Sequence, residues 1–528
     1  MKRFLSLFIL MMTFLFQSLA EGRGVYINEV LQSNVNHVDE IMFLPDSWIE
    51  LYNDSDEDVN LDGWTIVEGK KNFHSYSLNN GQYLPIDNLA WRQWQTTIIP
   101  AKGYLLIYCD EGNIGKHASF KLDESKGHSL WLYDRNGELV DSLKNIPALI
   151  YPDISYGRVE GSDTLFSHFA FSTPFAPNQG EGEEVAPEVT FDQLGGLLSD
   201  TMFVEIGVEE DSLKEHIYYT LDGSEPTYSS LRYEEPIRMC GSTVLRARVL
   251  KQGMLPRYAQ TQSYLAPDHD IDLPIMSIVT DSAWFFGDTL GIYEGDKTYG
   301  KSCWGQVGNY MGNRFRYMSI EYFDDLSEGA KVNQQVLARI SGGCTRTYPH
   351  KSMIVKTNKR LPQHSIPQVF WKEKPEITKT KSFMLRNSGN DWNRTLFRDA
   401  VVQHMLGGKV DLDIQAYQPC VVYVNGQYFG IFNIRERSNE LWVEDNTDLK
   451  DDEFDAVENI EEVKVGTDDD IVKLFEGIND STLTYQDVVS QIDTVELANY
   501  IILEMFSGNI DWPHNNILMW KPKKEGGK

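Results

Sequence analysis

Apolar and polar positions alternate in short runs along the first half of the chain. Residues 25–30, 48–53, 103–108 and 129–133 are short runs rich in apolar, β-branched and aromatic residues, as strands are. Asp134-Arg135-Asn136-Gly137 separates the last of these from a further alternating run at 138–141, which is hairpin chemistry. Strands at this spacing predict a β-sandwich over residues 22–182. Gly180-Glu181-Gly182-Glu183-Glu184 then reads as a flexible acidic linker. Beyond it, 216–221 ends at Asp222-Gly223 and 243–249 alternates cleanly up to a turn at Gly253, so a second, smaller sandwich is expected over 186–266.

The pattern changes after residue 270. Strand-like runs at 273–279, 351–356 and 421–424 stand among segments of helical period at 395–405 and 494–505, which predicts an α+β domain over 270–528. Asn425-Gly426 predicts a two-residue turn between 421–424 and 428–434. The second helical segment runs into a polar loop at 508–516 and then a strand at 517–520.

The N-terminus follows a different rule. Lys2 and Arg3 precede an almost purely apolar run at 4–16, and Ser18-Leu19-Ala20 supplies a small-x-small cleavage site, so residues 1–20 read as a secretory signal peptide. The apolar run of about 13 residues falls short of the roughly 20 that span a bilayer, and no longer one follows. The protein is therefore expected to be exported to the periplasm, cell surface or medium, with no transmembrane span after cleavage. Its formal charge of -30 repels phosphate backbones and argues against nucleic-acid binding. The five cysteines show no C-x-x-C and no zinc-ligand spacing. Export permits disulfides, and Cys303 and Cys344 fall in one domain and can pair.

Three families are recognisable in these modules. Ile27-Asn28-Glu29-Val30, residues 48–53, Leu61-Asp62-Gly63-Trp64, residues 99–107, Phe120-Lys121-Leu122, Ser155-Tyr156-Gly157-Arg158 and residues 173–178 together resemble the lamin-tail domain, in order. That resemblance implies an immunoglobulin-like sandwich with a surface or linking role. Residues 219–227, Tyr233, Pro236-Ile237 and 245–249 resemble the fibronectin-like domain at the C-terminus of chitobiase-type enzymes, which implies a spacer or a weak glycan contact. Residues 273–278, 291–293, 339–352, 383–387, 424–436 and 509–516 resemble the CotH spore-coat kinase family, which implies a divergent protein-kinase-like fold. The expected fold is thus multidomain: two all-β immunoglobulin-like sandwiches followed by an α+β kinase-like domain.

The chemistry concentrates in the third module. Asp511 and Asn516 stand as D-x-x-x-x-N between a helix and a strand. Protein kinases use that spacing for the aspartate that takes the hydroxyl proton and the asparagine that holds a metal ion. The resemblance makes Asp511 catalytic and Asn516 a metal ligand, with ATP and Mg²⁺ (or Mn²⁺) as cofactors. Gly342 and Gly343 lie before a lysine-bearing strand, where backbone N–H groups can approach phosphate; a plain Gly-Gly hairpin is the other reading. Lys351 is the first choice for the ATP-phosphate lysine and Lys356 the second. They face opposite sides of one strand, so only one can reach a nucleotide. Glu436 lines the nucleotide cleft or makes a salt bridge. No acidic partner for the phosphate lysine stands out, Asp399 being the nearest helical acid. The resemblance also implies a second metal-binding aspartate roughly 20 to 25 residues past Asp511, one strand after the catalytic loop, which would make this sequence part of a longer chain.

Glu29, Glu50 and Asn53 read either as a metal site or as polar groups satisfying strand ends. Glycoside hydrolysis needs two paired carboxylates, and no motif here singles out a pair. Two functions remain. One is an exported kinase acting on Ser or Thr of secreted or surface proteins. The other is a surface binding or scaffolding protein with an inactive kinase-like domain.

Overall fold

The computed structural model describes residues 24–34, 47–69, 73–78, 97–113, 115–122, 127–148, 151, 153–288, 291–294, 303, 305–358, 361–406, 408–459, 462–513, 515–524 and 526–527. The expected signal peptide lies outside them. Among the described residues the chain is mostly β, and its α-helices lie in the third module.

In the first module a seven-stranded and a four-stranded sheet face one another. Ile27, Ile49, Leu51, Ile66, Leu130 and Leu132 fill the space between them. Strand His128–Tyr133 shows the cause directly, since every second side chain is buried. Glu29 and Glu50 break the apolar pattern. They are register partners on strands Val25–Leu31 and Trp48–Asn53, and both are fully buried. Their partners come from the segment that crosses them. Thr173 N–H reaches both oxygens of Glu29 at 3.2 Å, and Ser155 Oγ–H donates to it as well. Glu50 accepts from Phe175 N–H at 2.6 Å and from the Asn28 amide at 2.9 Å. Asn53 ties its own strand end, donating to Glu57 O at 2.8 Å and Pro100 O at 3.0 Å. All three thus serve strand ends and a strap.

The acidic linker expected at 180–184 is instead ordered structure. Strand Glu181–Val185 pairs antiparallel with Phe166–Phe169 of the first module and parallel with Gly253–Leu255 of the second. Pairing on both edges satisfies its backbone groups, and this outweighs a composition that favours loops. The second module continues into the third in the same manner. Thr261 and Ser319 hydroxyls meet at 3.0 Å, those of Ser263 and Ser277 at 2.8 Å, and Ser263 N–H donates to the buried Glu321 carboxylate at 3.2 Å.

The third module is built on a closed barrel. Its strands are β1 (Ile275–Val279), β2 (Arg316–Phe323), β3 (Val332–Ser341), β4 (Ser352–Lys356), β5 (Ser382–Arg386), β6 (Tyr417–Val424) and β7 (Gln427–Arg435). They run β1-β2-β3-β4-β5-β7-β6, and β6 returns to β1 in parallel. Met276, Ile320, Val336, Ala338, Met353, Val355, Phe383, Leu385, Val422 and Ile434 fill the interior. The β6–β7 turn is the predicted Asn425-Gly426, with φ of 49° and 78° as a two-residue turn of this type requires. Cys303 and Cys344 form a disulfide. Helix α1 (Arg398–Leu406) begins three residues later than the helical period suggests, because Leu396 takes a left-handed φ of 66°. A second sheet holds β8 (Phe454–Glu458) between β9 (Glu462–Val465) and β10 (Leu518–Pro522). Helix α2 (Thr494–Ser507) precedes β10.

The Glu29–Glu50 pair generates a pH dependence. Burial pushes Glu29 up to about 7 and Glu50 up to about 8, the Glu29 charge adding to the rise at Glu50. A carboxyl with a raised folded pKa holds its proton more tightly when folded. Its stabilisation is complete below the unfolded value of 4.5 and is lost as pH rises through about 7 to 8. Unfolding of the first module, followed by scanning calorimetry on the whole protein, should therefore move to lower temperature between about pH 5 and about pH 8.5. Glu50→Gln should flatten that dependence. Equal unfolding temperatures at both pH values would contradict it.

Candidate active site

Helix α2 sets the loop that follows it. Asp493 caps its first turn by accepting from Val495 and Glu496 N–H, and Gly508 ends it in a left-handed conformation at φ 63°. The chain can then turn sharply into 509–517. Asn509 Oδ1 accepts from Asp511 N–H at 3.0 Å. Asp511 is exposed, and its two oxygens accept from the Asn515 amide at 3.0 Å and the Asn516 amide at 2.8 Å. The far end of the loop is pinned to β8. Asn459 N–H donates to Ile517 O at 2.8 Å, and Asn459 Oδ1 accepts from Ile517 N–H at 3.2 Å. The D-x-x-x-x-N spacing therefore brings its two ends together.

Among the described residues no Lys or Arg pairs with Asp511, and no group of three or more His, Cys, Asp or Glu is gathered in a metal-binding cluster. An exposed, unpaired carboxylate beside an amide is nevertheless a fitting donor set for Mg²⁺. That ion takes hard oxygens and uses one or two carboxylates alongside phosphate oxygens and water. Asn516 fits as one of its ligands, beside the Asp511 carboxylate.

The barrel distributes the remaining candidates over its two ends. Ser341 of β3 stands opposite Ser352 of β4, and Leu337 opposite Lys356. Gly342, Gly343 and Lys351 thus lie at one end, and Lys356 lies five residues down the strand, roughly 17 Å away. Gly342 has the positive φ of 111° that its turn requires, and the space a Gly343 side chain would fill is open. Lys351 is buried at this mouth. Its Nζ donates to Tyr348 O at 2.6 Å and sits 4.9 Å from the Tyr293 ring and 4.6 Å from that of Tyr310. Burial lowers its pKa to about 8. Lys356 faces the outside of the barrel, with Nζ 3.9 Å from the centre of the Phe315 ring. The alternation across this strand thus separates the two lysines as the sequence requires.

Glu436 lies toward the Lys356 end, because Arg435 of β7 is level with Met384 and hence with Ile354. It is buried and pairs with Lys374 Nζ at 2.6 Å. It also accepts from Ala416 N–H at 2.6 Å and from the Asn446 amide at 2.8 Å. The salt-bridge reading of Glu436 is the one its contacts describe. Lys374 was not visible as its partner, since 62 residues separate them and no local pattern marks the lysine. Asp399, on α1, pairs with Arg386 at 2.9 Å and Arg435 at 3.4 Å and with no lysine among the described residues. The C-terminal unit docks at this same end, through Thr380–Asp445 at 2.6 Å, Lys381–Glu444 at 2.9 Å and Arg437–Ser382 at 3.1 Å. Lys356 therefore shares an end of the barrel with the unit that carries Asp511, and Lys351 does not.

Residues 338–528 match the family described as CotH kinase protein. Residues 19–146 match the Lamin Tail Domain, and 198–261 match the Chitobiase/beta-hexosaminidase C-terminal domain. No curated protein matches the chain. The kinase-like family match begins within β3 and covers β4 to β10 of the third module, including Gly342, Gly343, Lys351, Lys356, Glu436, Asp511 and Asn516.

The buried Lys374–Glu436 pair should be costly to break. Lys374→Met leaves a buried carboxylate without its cation and should lower stability by about 3 kcal/mol in urea denaturation. Adding Glu436→Gln should restore part of that loss. A neutral Lys374→Met would show that the pair carries no stability.

Proposed function

We propose that this chain is an exported kinase that transfers the γ-phosphoryl group of ATP to Ser or Thr hydroxyls of secreted or surface proteins. The observation that carries this reading is the Asp511–Asn516 contact, made at a helix–loop–strand junction inside a region similar to CotH kinases. Asp511 is exposed and free of any Lys or Arg partner among the described residues, so its carboxylate can accept a proton. The substrate hydroxyl attacks the γ-phosphorus and its proton passes to Asp511. The new O–P bond forms as the bond to the β-phosphate oxygen breaks, and ADP leaves with that electron pair. The Asn515 and Asn516 amides orient the Asp511 carboxylate toward the incoming hydroxyl. Asn516 would also hold a divalent cation, which neutralises charge on the transferring group.

A second reading has its own observation. The three modules are joined by strand pairing and buried hydroxyl contacts rather than by loose linkers, which suits a rigid surface scaffold that presents a partner or a glycan.

Incubation of the whole protein with radiolabelled ATP and Mg²⁺ separates the two. Asp511→Ala should abolish transfer to casein or to the protein itself, and Asn516→Ala should raise the Mg²⁺ concentration needed for half-maximal rate. Undiminished transfer by Asp511→Ala would overturn the assignment. A wild-type protein that transfers nothing yet retains its surface partners would favour the scaffold.

A further inference from the structure

One strand of the second module, Gln260–Leu265, lies against the outer wall of the barrel. Its side chains alternate. Tyr264 turns into the core of its own module, and Thr261, Ser263 and Leu265 turn toward the barrel. The wall meets them with outward positions of three strands: Ser277 of β1, Ser319 and Glu321 of β2, and Asn333 and Gln335 of β3. Both ends of this seam are apolar. Tyr258, Tyr317 and Leu337 close one end, and Leu265, Ile275 and Phe323 close the other. Between them Thr261, Ser263, Ser277, Ser319 and Glu321 are buried, and Asn333 stands at the rim.

The hydroxyls and amides of the seam satisfy one another. Thr261 meets Ser319 and Ser263 meets Ser277, Ser319 Oγ–H donates to Gln335 Oε1 at 2.8 Å, and the Gln335 amide donates to Ala259 O at 3.1 Å. Glu321 departs from this. One of its oxygens accepts from Ser263 N–H at 3.2 Å and from the Asn333 amide at 3.4 Å. The other has no hydrogen-bond partner among the described residues, and no Lys, Arg or His among them pairs with Glu321. Its register partners on either side, Ser277 and Asn333, carry no charge. The titratable group facing it from the second module is Tyr264, whose hydroxyl the Glu321 charge pushes up. A carboxylate sealed in such a place without a cation is unfavourable, so burial raises Glu321 to about 7.

We propose that this seam is a proton-operated latch between the second and third modules, closed while Glu321 is neutral and released when its carboxyl ionises. The latch does not depend on the phosphoryl-transfer reading of Asp511. In an opened seam water reaches Glu321, which then titrates near its ordinary 4.5. Because the closed value lies above the open one, closure is most stable below 4.5 and loses stability as pH rises through about 7. Paired hydroxyls exchange for water at little net cost, so ionisation of one buried carboxyl can tip the balance. Strand Glu181–Val185 keeps the first two modules joined by backbone pairing on both of its edges. Opening therefore frees the third module from the other two as a pair.

Hydroxyl-radical footprinting of the whole protein at about pH 5 and about pH 8.5 tests the latch. The two pKa values imply a closing equilibrium roughly a hundredfold weaker at the higher pH. Labelling of Tyr258 and Tyr317, which stack at 4.7 Å across the seam, should then rise severalfold. Glu321→Gln keeps the shape of the side chain and cannot ionise, so labelling should stay at its acid level at both pH values. If thermal unfolding shows that Glu321→Gln has lost its fold, Glu321→Met, which also cannot ionise, decides in its place. Glu50→Gln, in the first module, should leave the rise intact. Equal labelling of the wild type at both pH values overturns the latch. So does a rise that persists in a folded Glu321→Gln or Glu321→Met, or one that vanishes in Glu50→Gln.

Discussion

Closing a sheet into a barrel commits every second residue to the interior. In the third module that commitment is made by the parallel return of β6 to β1, which leaves the seven strands no free edge. Met353 and Val355 then point into the core, and Ile354 and Lys356 point away from it. From this alternation follows where each charged residue can act. Lys351 keeps the interior parity and ends up roofed by tyrosines at the mouth. Lys356 keeps the exterior parity, at the end of the barrel that the C-terminal unit approaches. A one-residue slip of β4 would exchange the two lysines and bury a charge among Phe383 and Leu385.

The barrel also fixes the C-terminal unit. Lys374, Glu436 and Asn446 form a buried polar knot at one end, and Thr380, Lys381 and Ser382 add bonds to the segment that leads into β8. β8 then pairs with β10, and Asn459 holds the loop between them and α2. The position of Asp511 is therefore set by a series of short-range contacts that begins at the barrel. The first two modules add to this from the other side. Tyr258 stacks on Tyr317 at 4.7 Å, and Tyr151 packs against Tyr258, so the outer wall of β2 and β3 is partly covered by residues from all three modules.

Features written in local chemistry were legible from the sequence. The Asn425-Gly426 turn, the short strands and the helix before the 508–516 loop all depend on residues a few positions apart. The family content of the three modules was legible as well, because its motifs recur in order along each. Long-range features were not. Barrel closure joins Ile275 to Val421. The Lys374–Glu436 bond spans 62 residues. The segment at 181–185 misled for the same reason, since one of its two partner strands lies about seventy residues away and composition carries no trace of it.

Hydrogen–deuterium exchange of the whole protein, with and without a non-hydrolysable ATP analogue and Mg²⁺, tests the central claim most directly. That claim, as proposed above, is that the Asp511 loop takes the nucleotide together with the Lys356 end of the barrel. The account predicts slower exchange in peptides covering 353–357, 435–440 and 509–517, with the 342–351 connection unchanged. Protection confined to 342–351 and the Tyr293 region would place the nucleotide at the mouth beside Lys351 and contradict it.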